Sequence, residues 1–514
     1  MRAPALPFDA SGLALEDPGP RAATLVARLR LRVLDGRLPA GTRLPTTRAL
    51  AQALGLSRNT VVRAYEQLLD EGLIASRVGD GSYVAARLPS TAEPAGARGA
   101  PASAAPPPDT QVWRQLQAFT PGRTPDGPQR AFRWGSPALD LFPAEVWSRL
   151  QARAWRRHEP QSLGYGDPAG LPRLRALLAD YLRSARGLHC SADELLITAG
   201  AQQAIALAAL ALLRPGDEAA MEAPGYRAAT AALTLAATRV HRVPLDAQGL
   251  RPAALAALGP RCRLLYLTPS HQFPTGVSMP LQRRLDLLDW ARARQAWILE
   301  DDYDSEYRYT GLPLAPMASL DAQRRTLYVG SLSKLLFPGL RLGYLVAPAA
   351  WMPTLARLRA VLDRHSACMD QQVLADFIEQ GHFLRHLRRM RRAANERRST
   401  LLEAWAQDLT PLGLALPPPD GGLHAFLPLP DARTERALAD AAAAAGVEVG
   451  PMRQVGGQPD PLGGAGLVLG FAAVPPPQIR DAVRRLAQAW RPCCAADLPC
   501  VLRPARSAWR RAEN

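Results

Sequence analysis

The stretch GSLSKLLFPGLRLGY, residues 330–344, holds Lys334, the one lysine among the chain's 62 lysine and arginine residues. Arginine would serve for charge or for phosphate binding, but it stays protonated in proteins. Of the two, only lysine can lose its proton at accessible pH and attack a carbonyl carbon. A single lysine kept in an arginine-rich chain therefore points to Schiff-base chemistry. Its neighbours Ser331, Ser333 and Arg341 supply two hydroxyls and a guanidinium fork, a grip for a phosphate. Asp301 closes an apolar run in AWILEDDYDSEYRY. A carboxylate buried there would pair with a protonated ring nitrogen and keep the ring an electron sink. Tyr303, two residues on, falls on the same face of a strand and would donate to a ring hydroxyl. Asp301, Asp302 and Asp304 also read as a solvated acidic loop or a divalent-cation site. No other carboxylate or histidine cluster accompanies them, so no metal is expected.

The elements around these residues must bring them together. ELLITAGAQQAIALAALALL reads as a buried strand, a small-residue turn at Gly200, Ala201 and Gln202, and a helix. Such a turn offers free backbone N–H groups and a helix dipole to an anion, although it also occurs as an ordinary strand-to-helix turn. RLLYLTPSHQFPTG and the Asp301 segment are strands ending in polar residues, and TLYVGSLSKLLFPGLRLGYLVA is strand, polar loop, strand. Strands alternating with helices give an α/β fold with a largely parallel sheet. Its ligand would lie at the carboxyl ends of the strands, where these polar residues gather.

A second, smaller segment precedes this one. RAATLVARLRLRVLDG carries Leu25, Leu29 and Val33 at helical spacing. A Pro/Gly turn follows, then a short helix capped by Thr46 or Thr47 and ended by Gly55. Ser57 is the N-cap of a third helix that stops at Gly72, with Val61, Tyr65, Leu68 and Leu69 as its apolar stripe. Two helices across a tight turn form a helix-turn-helix. LIASRVGDGSYVAA reads as a hairpin wing, with strands Leu73–Arg77 and Ser82–Ala86. Eleven arginines against five acidic residues over 21–87 suit phosphate contacts, and Arg58 and Asn59 at the helix start suit base edges. Without DNA, the same pattern would be a small helical interaction module.

The chain is 514 residues with a net charge of +16 and 47% hydrophobic residues, enough for several packed cores. A Pro/Ala/Gly/Ser-rich stretch at 88–128 reads as a flexible linker. It separates a domain at 20–87 from one at 129–490, and a basic tail runs over 491–514. No long uncharged apolar run and no secretory signal are seen, and the six cysteines show no framework spacing. A reduced, cytoplasmic setting is expected, away from any membrane.

GRLPAGTRLPTTRALAQALGLSRNTVVRAYEQLLDEGLIASRVGDGSYV resembles the winged helix-turn-helix of the GntR family of transcription regulators. The resemblance implies DNA contacts from Arg48, from Ser57, Arg58, Asn59, Thr60 and Arg63 on the recognition helix, and from Arg77 and Gly79 in the wing. Some family members carry arginine where this chain has Val62, which leaves the operator open. TPSHQFPTG, EDDYDSEYRY and SLSKLLFPGLRLGY together resemble fold-type I aminotransferases that use pyridoxal 5'-phosphate. The whole layout resembles the MocR subfamily, which implies a large, mostly parallel sheet domain and a smaller C-terminal α+β subdomain.

That resemblance implies an internal aldimine at Lys334, Asp301 on the pyridine nitrogen and Tyr303 on the phenolic oxygen. It implies a phosphate held by Gly200, Ala201, Gln202, Ser331, Ser333 and Arg341, and Tyr226 stacked on the ring. Tyr165 would reach the phosphate of a partner subunit in a homodimer, with the winged helix of one chain over its partner. Phe273 replaces the asparagine that aminotransferases carry before Pro-Thr-Gly, and GLVLGFAAV lacks the preceding carboxylate-binding arginine. Arg453 and Arg227 are the remaining candidates for an effector carboxylate. The expected function is a DNA-binding regulator that senses an amino acid or amine by aldimine exchange. The alternative is an active aminotransferase with an accessory DNA-binding domain.

Overall fold

A computed structural model of the chain describes residues 21–77, 80–86, 119, 130–157, 163–237, 239–311, 314–456 and 464–495. The chain divides into two compact units near residue 108. The expected linker, apart from Phe119, lies outside the described residues, as do Gly79 in the wing and the tail beyond Ala495.

The first unit contains α1 (Arg21–Leu34), α2 (Thr47–Leu54), α3 (Arg58–Asp70) and the hairpin β1 (Ile74–Arg77) and β2 (Gly81–Val84). Leu25, Leu29 and Val33 of α1 bury against Val61, Tyr65 and Leu68 of α3, the two stripes read from spacing. Thr46, not Thr47, caps α2 by accepting from the Ala49 N–H at 3.2 Å. Ser57 caps α3 through the Thr60 N–H at 3.1 Å. Each cap satisfies a donor that the helix cannot, worth about 1 kcal/mol. Gly55 ends α2 in the left-handed region at φ 65°, where a side chain would be strained. The wing pairs antiparallel from Ile74 with Val84 to Arg77 with Gly81.

The second unit is built on an eight-stranded sheet. Its strands are β3 (Leu195–Thr198), β4 (Glu218–Ala223), β5 (Arg239–Asp246), β6 (Gly249–Leu250), β7 (Cys262–Leu267), β8 (Trp297–Asp302), β9 (Thr326–Ser331) and β10 (Gly343–Val346). The order is β3-β10-β9-β8-β7-β4-β5-β6. The run β5-β4-β7-β8-β9 is parallel, and β10 runs antiparallel to both β9 and β3. Helices α4 (Pro172–Arg186) and α5 (Ala201–Leu212) lead into and out of β3. The Ala/Leu composition of α5 suits its position, where Ala204, Ile205, Leu207 and Ala208 pack against Leu299 and Val329 in one core cluster. A small antiparallel sheet, ordered β11-β13-β12, lies nearer the C-terminus: β11 (His424–Leu429), β12 (Gly450–Pro451) and β13 (Ala465–Gly470).

The chain's path into this unit is pinned to that small sheet. Phe132 bridges Gly470, whose N–H donates to the Phe132 oxygen at 3.0 Å. Arg133 forms a two-bonded pair with Glu448 at 2.6 and 2.8 Å. The last helix, α6 (Pro476–Ala495), runs five residues past the expected domain end at 490. Cys493 packs against the core there, so the start of the basic tail is helix.

Candidate active site and nucleic-acid interface

The alternation of a strand explains why β8 can end in Glu300, Asp301 and Asp302, all buried. Glu300 accepts from the Met317 and Ala318 N–H groups, both at 2.9 Å. Asp302 pairs with Arg186 of α4 at 2.7 Å and accepts from Tyr328 at 2.6 Å. Asp301 points the other way, into a cavity of about 360 Å³. The acidic run is therefore not a solvated loop, because each carboxylate has its own buried surroundings.

Asp301 Oδ2 accepts from the Tyr266 hydroxyl at 2.7 Å, while Oδ1 is buried with no hydrogen-bond partner. Burial pushes its carboxyl up to about 7, partly offset by the Tyr266 hydrogen bond. An unpaired acceptor in a ligand-sized cavity fits a ring N–H. Tyr303 lines the same cavity, and burial beside Asp304 and Asp301 holds its phenol well above the ordinary value, so it remains a donor. Phe273 sets its edge against Tyr226, Tyr303 and His424 at 5.7, 6.0 and 5.8 Å. Where an asparagine would offer a polar group, this chain has an aromatic wall.

At the other end of the cavity α5 opens at Ala201, leaving N–H groups unpaired toward the space. Gly200, at φ 98°, would carry a Cβ 3.4 Å from the Arg341 guanidinium. Arg341 donates to the Ala199 oxygen at 2.7 Å, and Ser331 Oγ accepts from the Ser333 N–H at 3.3 Å. Ala201, Gln202, Ser331, Ser333 and Arg341 all line the space, a donor set for a phosphate. Together with the orphan oxygen of Asp301, these residues fit pyridoxal phosphate.

Lys334 lies between the two ends. Its Nζ donates to the Gly135 oxygen at 2.5 Å, and burial lowers its pKa against the pull of Asp304 and Asp301. Trp134 and Gly135 line the cavity, a wall that sequence reading missed because they belong to no motif. Sequence reading also found no histidine cluster near the acidic run. The fold assembles one: His271, Asp304 and His424 bring ligand-type atoms within 4.8 Å of one another. His271 Nε2 is buried without a hydrogen-bond partner, whereas other polar atoms of the cluster are engaged. His271 Nδ1 faces both Asp304 oxygens at 3.1 and 3.2 Å, and His424 Nε2 meets the Pro274 oxygen at 3.1 Å.

Among the described residues, Lys334 and Arg341 are the cations lining the cavity. Arg453 is paired with the buried Glu435 at 3.3 Å, and Arg227 donates to the Gln454 oxygen at 3.0 Å. Neither lines it. Tyr165 is 82% exposed, with the Arg364 guanidinium 4.6 Å above its ring. His365 also packs on it, and Leu163, Val361 and Leu362 of the second unit are exposed apolar side chains as well.

On the first unit Arg48, Arg58, Asn59, Arg63 and Arg77 are exposed. Ser57 and Thr60 are committed to each other, their hydroxyls 2.8 Å apart, and so fix the start of α3. Arg77 stacks on Tyr83 at 4.7 Å in the wing.

Comparison with known proteins matches residues 21–84 to the family described as bacterial regulatory proteins, gntR family. Residues 132–486 match aminotransferase class I and II. The chain is 36% identical over 467 residues to the probable rhizopine catabolism regulatory protein MocR of Rhizobium meliloti, covering 91% of this chain and 93% of that protein. It is 37% identical to the HTH-type regulator TauR of Rhodobacter capsulatus over 72% of this chain and 77% of that one. Among solved structures, a kynurenine aminotransferase from Pyrococcus horikoshii is similar at TM-score 0.64 and 27% identity, over 71% of this chain and 91% of that one. The α-aminoadipate aminotransferase LysN of Thermus thermophilus, complexed with a phosphopyridoxyl-leucine, is similar at 0.63 and 28%, over 75% and 95%.

Proposed function

Since the chain belongs to the MocR-type regulators of the gntR family, and is a DNA-binding transcriptional regulator with a pyridoxal-phosphate domain, we propose that this domain senses an amino acid or amine at Lys334. The observation that carries the reading is the paired arrangement at the cavity: an amine whose proton is loosened by burial, facing a carboxylate with one free oxygen. Pyridoxal phosphate, when bound, supplies an aldehyde that amines capture reversibly and a ring that draws electrons.

The chain's own residues do the rest. Asp301 Oδ1 receives the ring N–H, and Tyr303 holds the ring oxygen. The start of α5, Ser331, Ser333 and Arg341 hold the phosphate. Tyr226 covers the ring, and Phe273 and Trp134 exclude water. Lys334 would be the amine that holds the cofactor's aldehyde carbon and with which an effector amine would compete, and the Gly135 oxygen is the acceptor of its free Nζ. Arg453 and Arg227 lie off the cavity lining, and either would have to leave Glu435 or the Gln454 oxygen to take an effector carboxylate. Such an effector changes DNA binding only through unequal affinity for two states of the protein. Two chains pair as a homodimer through exposed apolar side chains that include Tyr165, which then reaches the partner's phosphate.

The test is a mobility-shift titration with DNA from upstream of its own gene, repeated with a panel of amino acids and amines and with Lys334→Ala. Effector-dependent binding that vanishes in the variant supports the reading. Effector dependence that survives without the amine removes it. A second reading, an active aminotransferase, is favoured by the complete set of ring-handling residues. Sustained multiple turnovers with an amino donor would establish it, whereas a single stoichiometric conversion would not.

A further inference from the structure

Tyr303 is the ring-oxygen donor in this cavity, and in the structure its hydrogen is spent elsewhere: its hydroxyl donates to the His271 main-chain oxygen at 2.9 Å. The same hydroxyl lies 3.1 Å from His271 Nδ1. That nitrogen faces the carboxylate of Asp304, an acceptor-only group, so Nδ1 carries the hydrogen. Asp304 is fixed in turn by the Leu423 N–H at 3.2 Å. The histidine ring is held flat by glycine on two sides. A Cβ on Gly422 would lie 2.0 Å from it, and one on Gly276 3.2 Å from it.

We infer that His271 and Asp304 are a positioning pair for Tyr303: the one Nδ1 hydrogen, held on that nitrogen by Asp304 and shared between the carboxylate and the phenol oxygen, supports that oxygen and frees the phenol's own hydrogen to turn to the cofactor's ring oxygen. An O–H whose oxygen accepts a hydrogen bond is the stronger donor, because bonds in a chain polarise one another. The pair supplies a dependence on one phenol that an asparagine at position 273 would otherwise share. His424, its ring tilted at 49° and centred 4.7 Å from that of His271, is kept neutral by burial and adds no charge. The charged groups close enough to act on Tyr303 are Asp304 and Asp301, Glu222 from β4, and, from the opposite face of β8, Asp302. Lys334 faces Asp301 and Asp304 in the same cavity.

The inference rests on the cofactor-handling roles of Tyr303 and Lys334 proposed above. It is tested by the pH midpoint of the visible absorbance band of the pyridoxal-phosphate-loaded protein. Weaker donation leaves the ring oxygen more basic, so the neighbouring proton is held to higher pH. His271→Phe keeps the ring volume and removes both nitrogens. It is expected to raise the midpoint by about 0.5–1 unit, and to add nothing in a Tyr303→Phe background. An unmoved midpoint, or an equal shift in both backgrounds, overturns the pair. If His271→Phe fails to fold, Asp304→Asn is measured in the same two backgrounds. Loss of the Asp304 charge acts directly on Lys334 in the opposite sense, but equally in both, so the difference between backgrounds isolates the pair. That difference is expected to be upward, and a zero or downward one overturns the pair. Stoichiometric Zn²⁺ binding by the cofactor-free protein, lost in His271→Phe, would also overturn it. A wild-type protein without a band, or a band that survives Lys334→Ala, would instead refute the cofactor roles. A normal band with uncoupled variants refutes the pair alone.

Discussion

Lys334 Nζ donates to the main-chain oxygen of Gly135 at 2.5 Å, joining the reactive amine to a residue 199 positions earlier in the chain. Gly135 sits at φ 76°, and a Cβ there would lie 3.1 Å from the amine. The chain can come this close because the residue has no side chain.

Lys334→Arg keeps the charge on a side chain of similar length and slightly greater bulk. A guanidinium cannot attack a carbonyl at any accessible pH. Loaded with pyridoxal phosphate and treated with borohydride, the variant is expected to carry no covalent cofactor by mass spectrometry, whereas the wild type carries one per chain.

Asp301→Asn keeps an acceptor for Tyr266 and discards the charge facing the ring nitrogen. Charge-assisted bonds contribute about 1.5–3 kcal/mol, so cofactor affinity should fall about 10–100-fold. Fluorescence titration of the cofactor-free protein measures it. An affinity within threefold of wild type would show that Oδ1 faces nothing of consequence.

Burial raises Glu222, Glu300 and Asp301 to about 7 each in the cofactor-free protein. Between about pH 4 and 7 the folded chain therefore holds protons that the unfolded chain has lost. Stability falls as pH rises through this window and levels off above it. Thermal unfolding of the second unit should show that fall, and Asp301→Asn should make it shallower.

Gly422→Ala forces a side chain to within 2.0 Å of His271 and 2.7 Å of Asp304, at φ 71°. Overpacking and left-handed strain together should destabilise by at least about 2 kcal/mol. Calorimetry should show the transition of the second unit moving down while that of the first stays in place.

Arg58→Ala and Asn59→Ala remove side chains from the exposed start of α3. Base-reading positions cost about 1–3 kcal/mol and relax specificity, whereas Arg48→Ala should weaken binding to all sequences and reduce the salt slope by about one. Binding isotherms on matched and scrambled DNA at several salt concentrations separate the two behaviours.

Much of the site was legible because it sits in contiguous motifs. The strand-loop around Lys334, the Asp301–Tyr303 spacing and the turn at Gly200 each declare themselves by local pattern, and period-two alternation alone turns Asp301 away from its acidic neighbours. What stayed hidden is made by long-range packing. His271, Asp304 and His424 meet only because β11 is folded against the loop after β7. Trp134 and Gly135 carry no reactive group, and their place in the wall depends on Arg133 finding Glu448. The cap at Ser57, and the one at Thr46 to within a residue, were readable for the opposite reason, since a cap is decided within four residues.

The pinning of Phe132 and Arg133 to the small C-terminal sheet means that the second unit is closed by its own beginning. A Cβ on Gly470 would lie 2.1 Å from the Arg133 oxygen, and one on Gly450 would lie 2.9 Å from Trp134, so both sheet positions are cut to receive this strip. Where the unit starts is therefore a functional boundary. A fragment begun after Gly135 would keep the large sheet, the lysine and the phosphate grip, yet it would open the cavity along one side and leave the freed amine no carbonyl to return to.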